Sequence, residues 1–300
     1  MKVFFKIVFL IFLTYIFQGF CNETNIKLHK SSRLMELYHA AVKVLISNGQ
    51  IDALIKKHNV DYSPTESLDG ISDIEQVDIS SDINDVLSKI LKNKEVKVGA
   101  LKGKNWGSIG DYNEDPPTGF WPELMFLIWK TISKRIFDDE NAIKVKYLFF
   151  VDVFNALNKN EIDITENYFL SLPSSTEEGL RNDTSKISQG LSLITHSNKI
   201  IVLKELNINN LNDLKSYISK NSNVKIACLT EANCKAVKDV FESGVKYVHK
   251  GFSSYSDLSE SVLSKENLAG IVSGLPTDFN DPKLTIFDTL IKTSHSPFFR

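Results

Sequence analysis

The chain has 300 residues, which suffices for one large domain or for two lobes with a substantial core. Its 35 basic and 37 acidic side chains nearly cancel, leaving a formal net charge of -2. Such a balance provides no general attraction to nucleic acid or to anionic lipid, so the function has to come from a local site.

The first 21 residues have the composition of a secretory signal. Lys2 and Lys6 precede an apolar run from Ile7 to Phe17, and small or neutral residues follow up to Cys21. The run is too short for a membrane-spanning helix, so we expect cleavage after Cys21, with an uncleaved anchor as the alternative. No later segment approaches the length of a membrane span. We therefore expect a soluble protein that is secreted or lies in the endomembrane lumen.

The cysteines and the glycosylation triplets are informative only if the protein is secreted. Once the signal is removed, Cys228 and Cys234 are the remaining thiols, and in an oxidising compartment we expect them to pair; two buried free thiols are the alternative. Asn22 and Asn182 each begin an acceptor triplet for N-glycosylation. No spacing resembles a zinc site, and no phosphate-binding glycine motif follows a strand, so we expect neither a metal nor a cofactor.

The predicted elements begin with a pair of helices. In Glu36 to Asn59, apolar residues recur at helical spacing on both sides of Asn48-Gly49, which indicates a helix, a tight turn and a second short helix. The next stretch, Val60 to Lys94, is rich in serine, aspartate and asparagine. We interpret Asp61 to Gln76 as a linker and expect a short helix between Ile83 and Leu91.

Strands then alternate with helices in two successive units. The first unit is predicted to contain strands at Val96 to Leu101, Ile143 to Phe150 and Ile162 to Phe169, with helices at Phe120 to Ile136 and Val153 to Lys159. The second is predicted to contain strands at Lys199 to Lys204, Val224 to Leu229, Val245 to Val248 and Leu268 to Ser273, with helices at Leu211 to Ser219, Glu231 to Glu242 and Tyr255 to Leu263. This alternation is typical of parallel sheets with right-handed crossovers.

Taken in order, these segments resemble the extracellular solute-binding proteins of family 3. The run VKVGALKGKNWGSIGDYNEDPPTGFWPELM is similar to the family's first strand, ligand loop and helix, and VKYLFFVDVFNALNKNEIDITENYFLSL to its next unit. The segment NLNDLKSYISKNSNVKIACLTEANCKAVK resembles the entry to the second lobe, and LAGIVSGLPTDF the strand that returns to the first. The resemblance implies an α/β, two-lobed, type II periplasmic-binding-protein-like fold with an interlobe cleft, as in glutamate-receptor ligand domains.

The resemblance also implies an unusual order of segments. The final SHSPFFR resembles the family's last strand of lobe 1, after which its closing helices are expected; here their counterpart is Glu36 to Asn59. We therefore interpret the chain as circularly permuted and expect its first long helix to pack beside its last strand. An unrelated N-terminal cap, a tandem unit and a swapped dimer are the alternatives. The resulting division is a signal peptide at 1–21, helices completing lobe 1 at 22–59, a linker with a short helix at 60–94, lobe 1 at 95–195, lobe 2 at 196–275 and a return to lobe 1 at 276–300.

In this family the cleft holds a small polar solute and closes by hinge motion. The resemblance places seven candidate ligand contacts in the loops that border the cleft: Trp106, Tyr112, Ser171, Thr176, Arg181, Thr230 and Glu231. Trp106 and Tyr112 lie in polar, glycine-rich surroundings that argue against core burial, whereas Phe120 and Trp121 are expected in the core. Arg181 would clamp a ligand carboxylate, and the N–H groups near Thr230 would receive an anion. A surface aromatic, a solvated arginine and a helix cap are the respective structural alternatives.

Gly274 departs from the family pattern. Amino-acid binders of the family commonly have an aspartate near this place for the ligand's ammonium group, so a free α-amino acid ligand is in doubt. The sequence favours a secreted, non-enzymatic protein that binds a small molecule such as an amino acid or a small carboxylate. One alternative is an enzyme of the dehydratase or glycan lyase type, for which Glu123, Glu166, Glu177 and Glu178 offer carboxylates. Another is a degenerate binding fold used for protein recognition.

Overall fold

A computed structural model describes most of the chain after residue 31. The described residues are 32–65, 67–80, 84–103, 105, 107–166, 187–221, 223–229, 233–234, 237–238, 240–241, 245–248, 252, 254–273 and 279–300, with the backbone alone at 290–295. The predicted signal peptide lies outside this set.

The described elements follow the alternation predicted for the two units. The helices are α1 (Arg33–Ser47), α2 (Gln50–His58), α3 (Val86–Asn93), α4 (Phe120–Phe137), α5 (Val153–Asn158), α6 (Leu211–Lys220) and α7 (Tyr255–Leu263). The strands are β1 (Tyr62–Pro64), β2 (Glu95–Leu101), β3 (Lys144–Phe150), β4 (Ile164–Thr165), β5 (Ser188–Gln189), β6 (Ile194–Leu203), β7 (Val224–Cys228), β8 (Val245–Val248), β9 (Ala269–Ser273), β10 (Leu284–His295) and β11 (Phe298–Phe299).

The strands form two sheets, which confirms the expectation of a two-lobed α/β fold. The sheet of lobe 1 has the order β3-β2-β4-β11-β5, and β2 runs parallel to both β3 and β4. The sheet of lobe 2 has the order β1-β6-β9-β7-β8, and β10 also pairs with β6. In that sheet β7 runs parallel to β8 and β9, whereas β6 is antiparallel to β9. The segment boundaries assigned from the sequence stay predictions.

Helix α4 supplies much of the core of lobe 1. Phe120, Leu124, Ile128 and Ile132 are fully buried, and their spacing of four residues places them along one side of the helix. Trp129 is fully buried as well. Lobe 2 has its own cluster of buried aliphatic side chains from β6, β7, β9 and α6.

The two N-terminal helices pack onto lobe 1 as predicted. The side chain of Ser32 caps α1 by accepting the N–H of Met35, and Gly49, at φ 76°, makes the turn before α2. The ring of Tyr38 lies 5.3 Å from that of Phe299 on the last strand, at an interplanar angle of 75°. The expected contact between first helix and last strand is therefore confirmed, whereas the circular permutation itself stays a prediction.

The segment that we interpreted as a linker is more ordered than expected. The short helix is present as α3, and Asp85 is its N-cap residue. Arg33 of α1 donates to both carboxylate oxygens of Asp85, each at 3.0 Å, and so links α1 to the start of α3. The interpretation of Asp61 to Gln76 as a plain linker is wrong, because Tyr62–Pro64 form strand β1 and Ile71 is buried. The strand could not be predicted because its neighbours are polar and because its partner, β6, lies far along the chain.

Two strands differ from prediction at the passage between the lobes. Strand β6 begins at Ile194, five residues before the predicted start at Lys199, and β10 was not predicted at all. The two pair antiparallel from Leu284↔Leu203 to His295↔Ile194, with a shift of register between Asp288 and Lys292. Within the part of the chain that the structure describes, no helix combines the length and the apolar character needed to cross a bilayer.

Candidate functional site

A buried carboxyl group lies at the end of the lobe 1 sheet. Glu166 directly follows β4 and is fully buried. The hydroxyl of Tyr147, on β3, donates to its Oε1 at 2.6 Å, and the hydroxyl of Tyr112, in the loop after β2, donates to its Oε2. Burial raises the pKa of Glu166 to about 8, although both hydrogen bonds act in the opposite direction. With a pKa of about 8, the group is mostly protonated at pH 7.

The loop after β2 folds back to bring Tyr112 to this carboxyl group. Asp111 and Thr118 exchange backbone hydrogen bonds of 2.8 and 3.2 Å, which close the loop. A β-carbon at Gly110 would lie 2.6 Å from the hydroxyl oxygen of Tyr112, so the close approach requires glycine. Our expectation that these surroundings keep Tyr112 out of the core is wrong: Tyr112 is only 3% exposed, because its hydroxyl reaches Glu166.

Tyr62 of the N-terminal segment lies beside the start of α4. Its ring centroid is 4.8 Å from that of Phe120 and 5.3 Å from that of Trp121, and both of these residues are buried as predicted. The indole N–H of Trp121 donates to the Tyr62 hydroxyl at 3.2 Å. On the other side, the ring of His196 on β6 is 5.5 Å away. Burial raises the pKa of Tyr62.

Polar side chains also meet at the end of the lobe 2 sheet. The side-chain amide of Asn233 donates to Asn198 Oδ1 at 3.3 Å and to Ser273 Oγ, at the end of β9, at 2.9 Å. The hydroxyl of Tyr255, the first residue of α7, donates to the Ser273 carbonyl oxygen at 2.8 Å. Burial raises the pKa of Tyr255, and the charge of Tyr62 adds to it.

A disulfide braces this end of lobe 2. Cys228 ends β7 and is bonded to Cys234, with the two Cα atoms 5.5 Å apart, a separation that suits the bond. The predicted pairing is therefore confirmed. Since Cys234 directly follows Asn233, the covalent link fixes the backbone that presents the Asn233 amide to Ser273.

Tyr112 is the one predicted ligand contact that the structure describes. The other predicted contacts, the two glycosylation sites and the departure from the family pattern lie outside the described residues: Trp106, Ser171, Thr176, Arg181, Thr230, Glu231, Asn22, Asn182 and Gly274. Their roles, and a ligand contact by Tyr112, stay predictions.

The carboxylates considered for catalysis have different surroundings. Glu123 accepts from Lys57 Nζ at 2.6 Å and lies 3.2 Å from His58 Nε2, which makes it part of a surface charge cluster. Glu177 and Glu178 lie outside the described residues, whereas Glu166 is buried among tyrosines. Among the side chains that the structure describes, no three histidines, cysteines or carboxylates come together as a metal site.

Sequence reasoning missed several of the polar residues that gather here. Tyr62, Asn198, Ser273 and Tyr255 were assigned to a linker or to strand and helix ends without a role. For Tyr62 a weak signal existed, because Val60 and Tyr62 are buried and alternate with more exposed neighbours, the period of a strand.

The chain has detectable similarity to proteins of known structure. No family model matches the chain, and no curated protein matches it. Among solved structures, PfVFT1 from Plasmodium falciparum is 55% identical at a TM-score of 0.71, and the match covers 89% of this chain and 95% of that one.

Two other matches show likeness of fold alone. The ancestral amino acid-binding protein AncCDT-1, described as a precursor of cyclohexadienyl dehydratase, is 19% identical at a TM-score of 0.52, over 72% of this chain and 86% of that one. A substrate binding protein of an ABC uptake transporter from Streptococcus pneumoniae, with bound histidine, is 13% identical at a TM-score of 0.50, over 72% and 84%. The chain therefore belongs to the family of PfVFT1, and its fold is the two-lobed fold of the family 3 type of solute-binding protein.

Proposed function

We propose that the protein is secreted and binds a small polar molecule between its two lobes, which close around it without chemical conversion. One observation carries the proposal. Polar groups gather at the carboxyl ends of strands in both lobes, with Glu166 and Tyr112 in lobe 1 and Asn233 and Ser273 in lobe 2. In open α/β sheets, ligands bind outside the carboxyl ends of the strands.

The charge state of the lobe 1 carboxyl group bears on the class of ligand. Because burial raises the pKa of Glu166 to about 8, the group is mostly neutral at pH 7 and does not repel a ligand carboxylate. Arg181 and the N–H groups near Thr230 are the predicted partners of such a carboxylate. The absence of an acid at Gly274 weakens the case for a ligand ammonium group. Small carboxylates are thus the first compounds to test, with amino acids as a comparison that measures the effect of an added ammonium group.

Thermal unfolding of the purified mature protein tests binding. A ligand that binds only the folded state at a hundred times its dissociation constant adds about 2.7 kcal/mol to the free energy of unfolding. We expect one class of compound within a panel of amino acids, small carboxylates and sugars to raise the melting temperature. An Arg181→Ala variant should lose the response to carboxylates, whereas the surface change Lys130→Ala should keep it. No response to any compound of the panel would contradict the proposal.

Secretion is tested separately, by expression of the full chain in a eukaryotic secretory host. We expect the mature protein in the medium, beginning at Asn22, with a mass that falls on treatment with an N-glycosidase. Retention of residues 1–21 in a membrane-bound form would instead support the uncleaved anchor.

An enzyme on the same fold is the second candidate, and the buried Glu166 favours it. A carboxyl group with a pKa of about 8 is protonated at neutral pH and therefore has the form that a general acid needs. Turnover of a cyclic acid or a glycan by the purified protein, lost in Glu166→Gln, would support this candidate over simple binding. Compounds bound without turnover would support the first.

A further inference from the structure

The N-terminal segment adds a third strand where the chain passes between the lobes. The first part of β6, Ile194 to His196, pairs with β1 on one side and with β10 on the other. Its second part, Asn198 to Val202, pairs with β9 of lobe 2. Since β6 and β10 lead from one lobe to the other, rotation of the lobes has to bend this ribbon, and β1 has to follow it or detach.

Contacts on both sides hold the segment Val60–Thr65, which we call the strap. Its register is Tyr62↔His196, Ser63↔Thr195 and Pro64↔Ile194. The backbone N–H of Thr65 donates to the carbonyl oxygen of Leu193 at 2.9 Å, and Asp61 forms an ion pair of 3.0 Å with Lys199. Because that ion pair is partly exposed, the strand pairing and the burial of Tyr62 contribute more to holding the strap.

Tyr62 is the point at which the strap contacts lobe 1 and approaches lobe 2. Its hydroxyl accepts the indole N–H of Trp121 in lobe 1 at 3.2 Å, and its ring packs against the His196 ring at the crossing. The backbone of the strap is hydrogen-bonded to β6 in the lobe 2 sheet, whereas the side chain of Tyr62 packs against the start of α4 in lobe 1. A rotation of one lobe against the other would therefore change the surroundings of Tyr62.

We propose that the strap sets the resting arrangement of the lobes, and that Tyr62 is the positioning residue that couples its docking to lobe closure. The inference rests on the proposed function, in which closure around a ligand is the working motion. It goes beyond that function because it assigns control of closure to the strap rather than to the residues proposed to bind the ligand. With the strap docked, the three paired strands resist bending and the lobes keep their resting arrangement. With the strap detached, β6 and β10 bend more freely.

The distance between spin labels on the two lobes tests this without any ligand. Lys130 on α4 and Lys215 on α6 are exposed, so each can be replaced by cysteine and labelled while the native disulfide stays intact. We compare Tyr62→Ala with Ser63→Ala, a matched control on the same strand whose side chain is exposed. Loss of the ring contacts and the hydrogen bond should raise the population of a second, different interlobe distance about tenfold. Ser63→Ala should retain the wild-type distribution.

Two further variants keep the test decisive. Tyr62→Phe retains the ring and loses only the hydroxyl, so it should fall between Tyr62→Ala and wild type. Thr65→Pro removes the N–H that donates to the carbonyl oxygen of Leu193 and leaves the Tyr62 ring in place. This variant should change the distance distribution in the same direction as Tyr62→Ala, and it replaces that variant in the test if Tyr62→Ala does not fold. Folded variants whose interlobe distances match wild type would overturn the proposal.

The same labels separate this proposal from that of ligand binding. A response to the strap variants, with no compound of the panel altering distance or melting temperature, would support the strap and contradict the binding function. A ligand that changes the distance equally in wild type and Tyr62→Ala would support the binding function and contradict the strap.

Discussion

A buried imidazole makes the stability of lobe 1 depend on pH. His39 on α1 is 6% exposed, and its Nε2 accepts a hydrogen bond of 3.0 Å from the backbone N–H of Leu191, which lies just before the crossing strand β6. Its ring packs near Phe299 at a centroid distance of 6.1 Å. A ring nitrogen that accepts a hydrogen bond carries no proton, so this contact needs the neutral imidazole. Burial accordingly lowers the pKa of His39 from 6.5 to about 4.

The direction of the pH effect follows from which state takes up the proton first. The unfolded chain protonates His39 as the pH falls through 6.5, whereas the folded chain does so only near pH 4. The stabilisation is therefore fully present above pH 6.5 and is lost progressively as the pH falls towards 4. A difference of this size corresponds to about 3 kcal/mol in the free energy of unfolding.

Urea unfolding of wild type and His39→Gln, followed from about pH 7.5 to about pH 4.5, measures this effect. The glutamine amide oxygen retains an acceptor for the Leu191 N–H but does not titrate. Carboxylates and other histidines contribute to both proteins, so the difference between them isolates His39. We expect wild type to lose about 2.5 kcal/mol more than the variant over this interval, because His39 of the folded chain is not yet fully protonated at the lower end of the interval.

Equal losses in wild type and His39→Gln would refute the reasoning, since they would mean that His39 titrates alike in the folded and unfolded states. His39→Leu provides the complementary control. It removes the acceptor and leaves the Leu191 N–H without its partner, which should cost about 1–3 kcal/mol at neutral pH. The free energy of unfolding of that variant should depend on pH in the same way as that of His39→Gln.

Three other changes have expected outcomes that unfolding and spectroscopy can check. Replacing both cysteines of the Cys228–Cys234 disulfide by serine should lower the free energy of unfolding by about 2 kcal/mol, the value for a loop this short, and dithiothreitol should then no longer affect stability. Gly110→Ala should cost about 1–3 kcal/mol, because the new methyl group meets the Tyr112 hydroxyl; an unchanged free energy of unfolding would contradict the assigned contact. Tyr147→Phe removes a hydrogen bond that lowers the pKa of Glu166, so the protonated carboxyl signal in infrared spectra should persist to higher pH than in wild type.

The elements that could be predicted are those whose pattern is local. Helix α4 has its buried residues at helical spacing, and the Asn48-Gly49 turn joins two amphipathic stretches, so both followed from neighbouring residues. The parallel strands β2 and β3 are apolar runs separated by a long helix, which indicates a crossover connection. Their order along the chain then resembled a known family.

The features that could not be predicted depend on partners far apart in sequence. Strand β1 has polar neighbours and becomes a strand because it pairs with β6. The burial of Tyr112 depends on Glu166, which a different strand presents. Likewise, Asn198 and Ser273 form a polar group with Asn233 only after three elements of lobe 2 have come together. Sequence reasoning assigned these residues no partner, since no local pattern records a contact with a distant segment.

The most direct measurement of the central claim is the interlobe distance before and after addition of a compound that raises the melting temperature. With the labels at Lys130 and Lys215, we expect such a compound to move the distribution to a single, narrow distance, because the two lobes close around the ligand. A compound that binds and stabilises the protein while leaving the interlobe distribution as it was without ligand would contradict the claim.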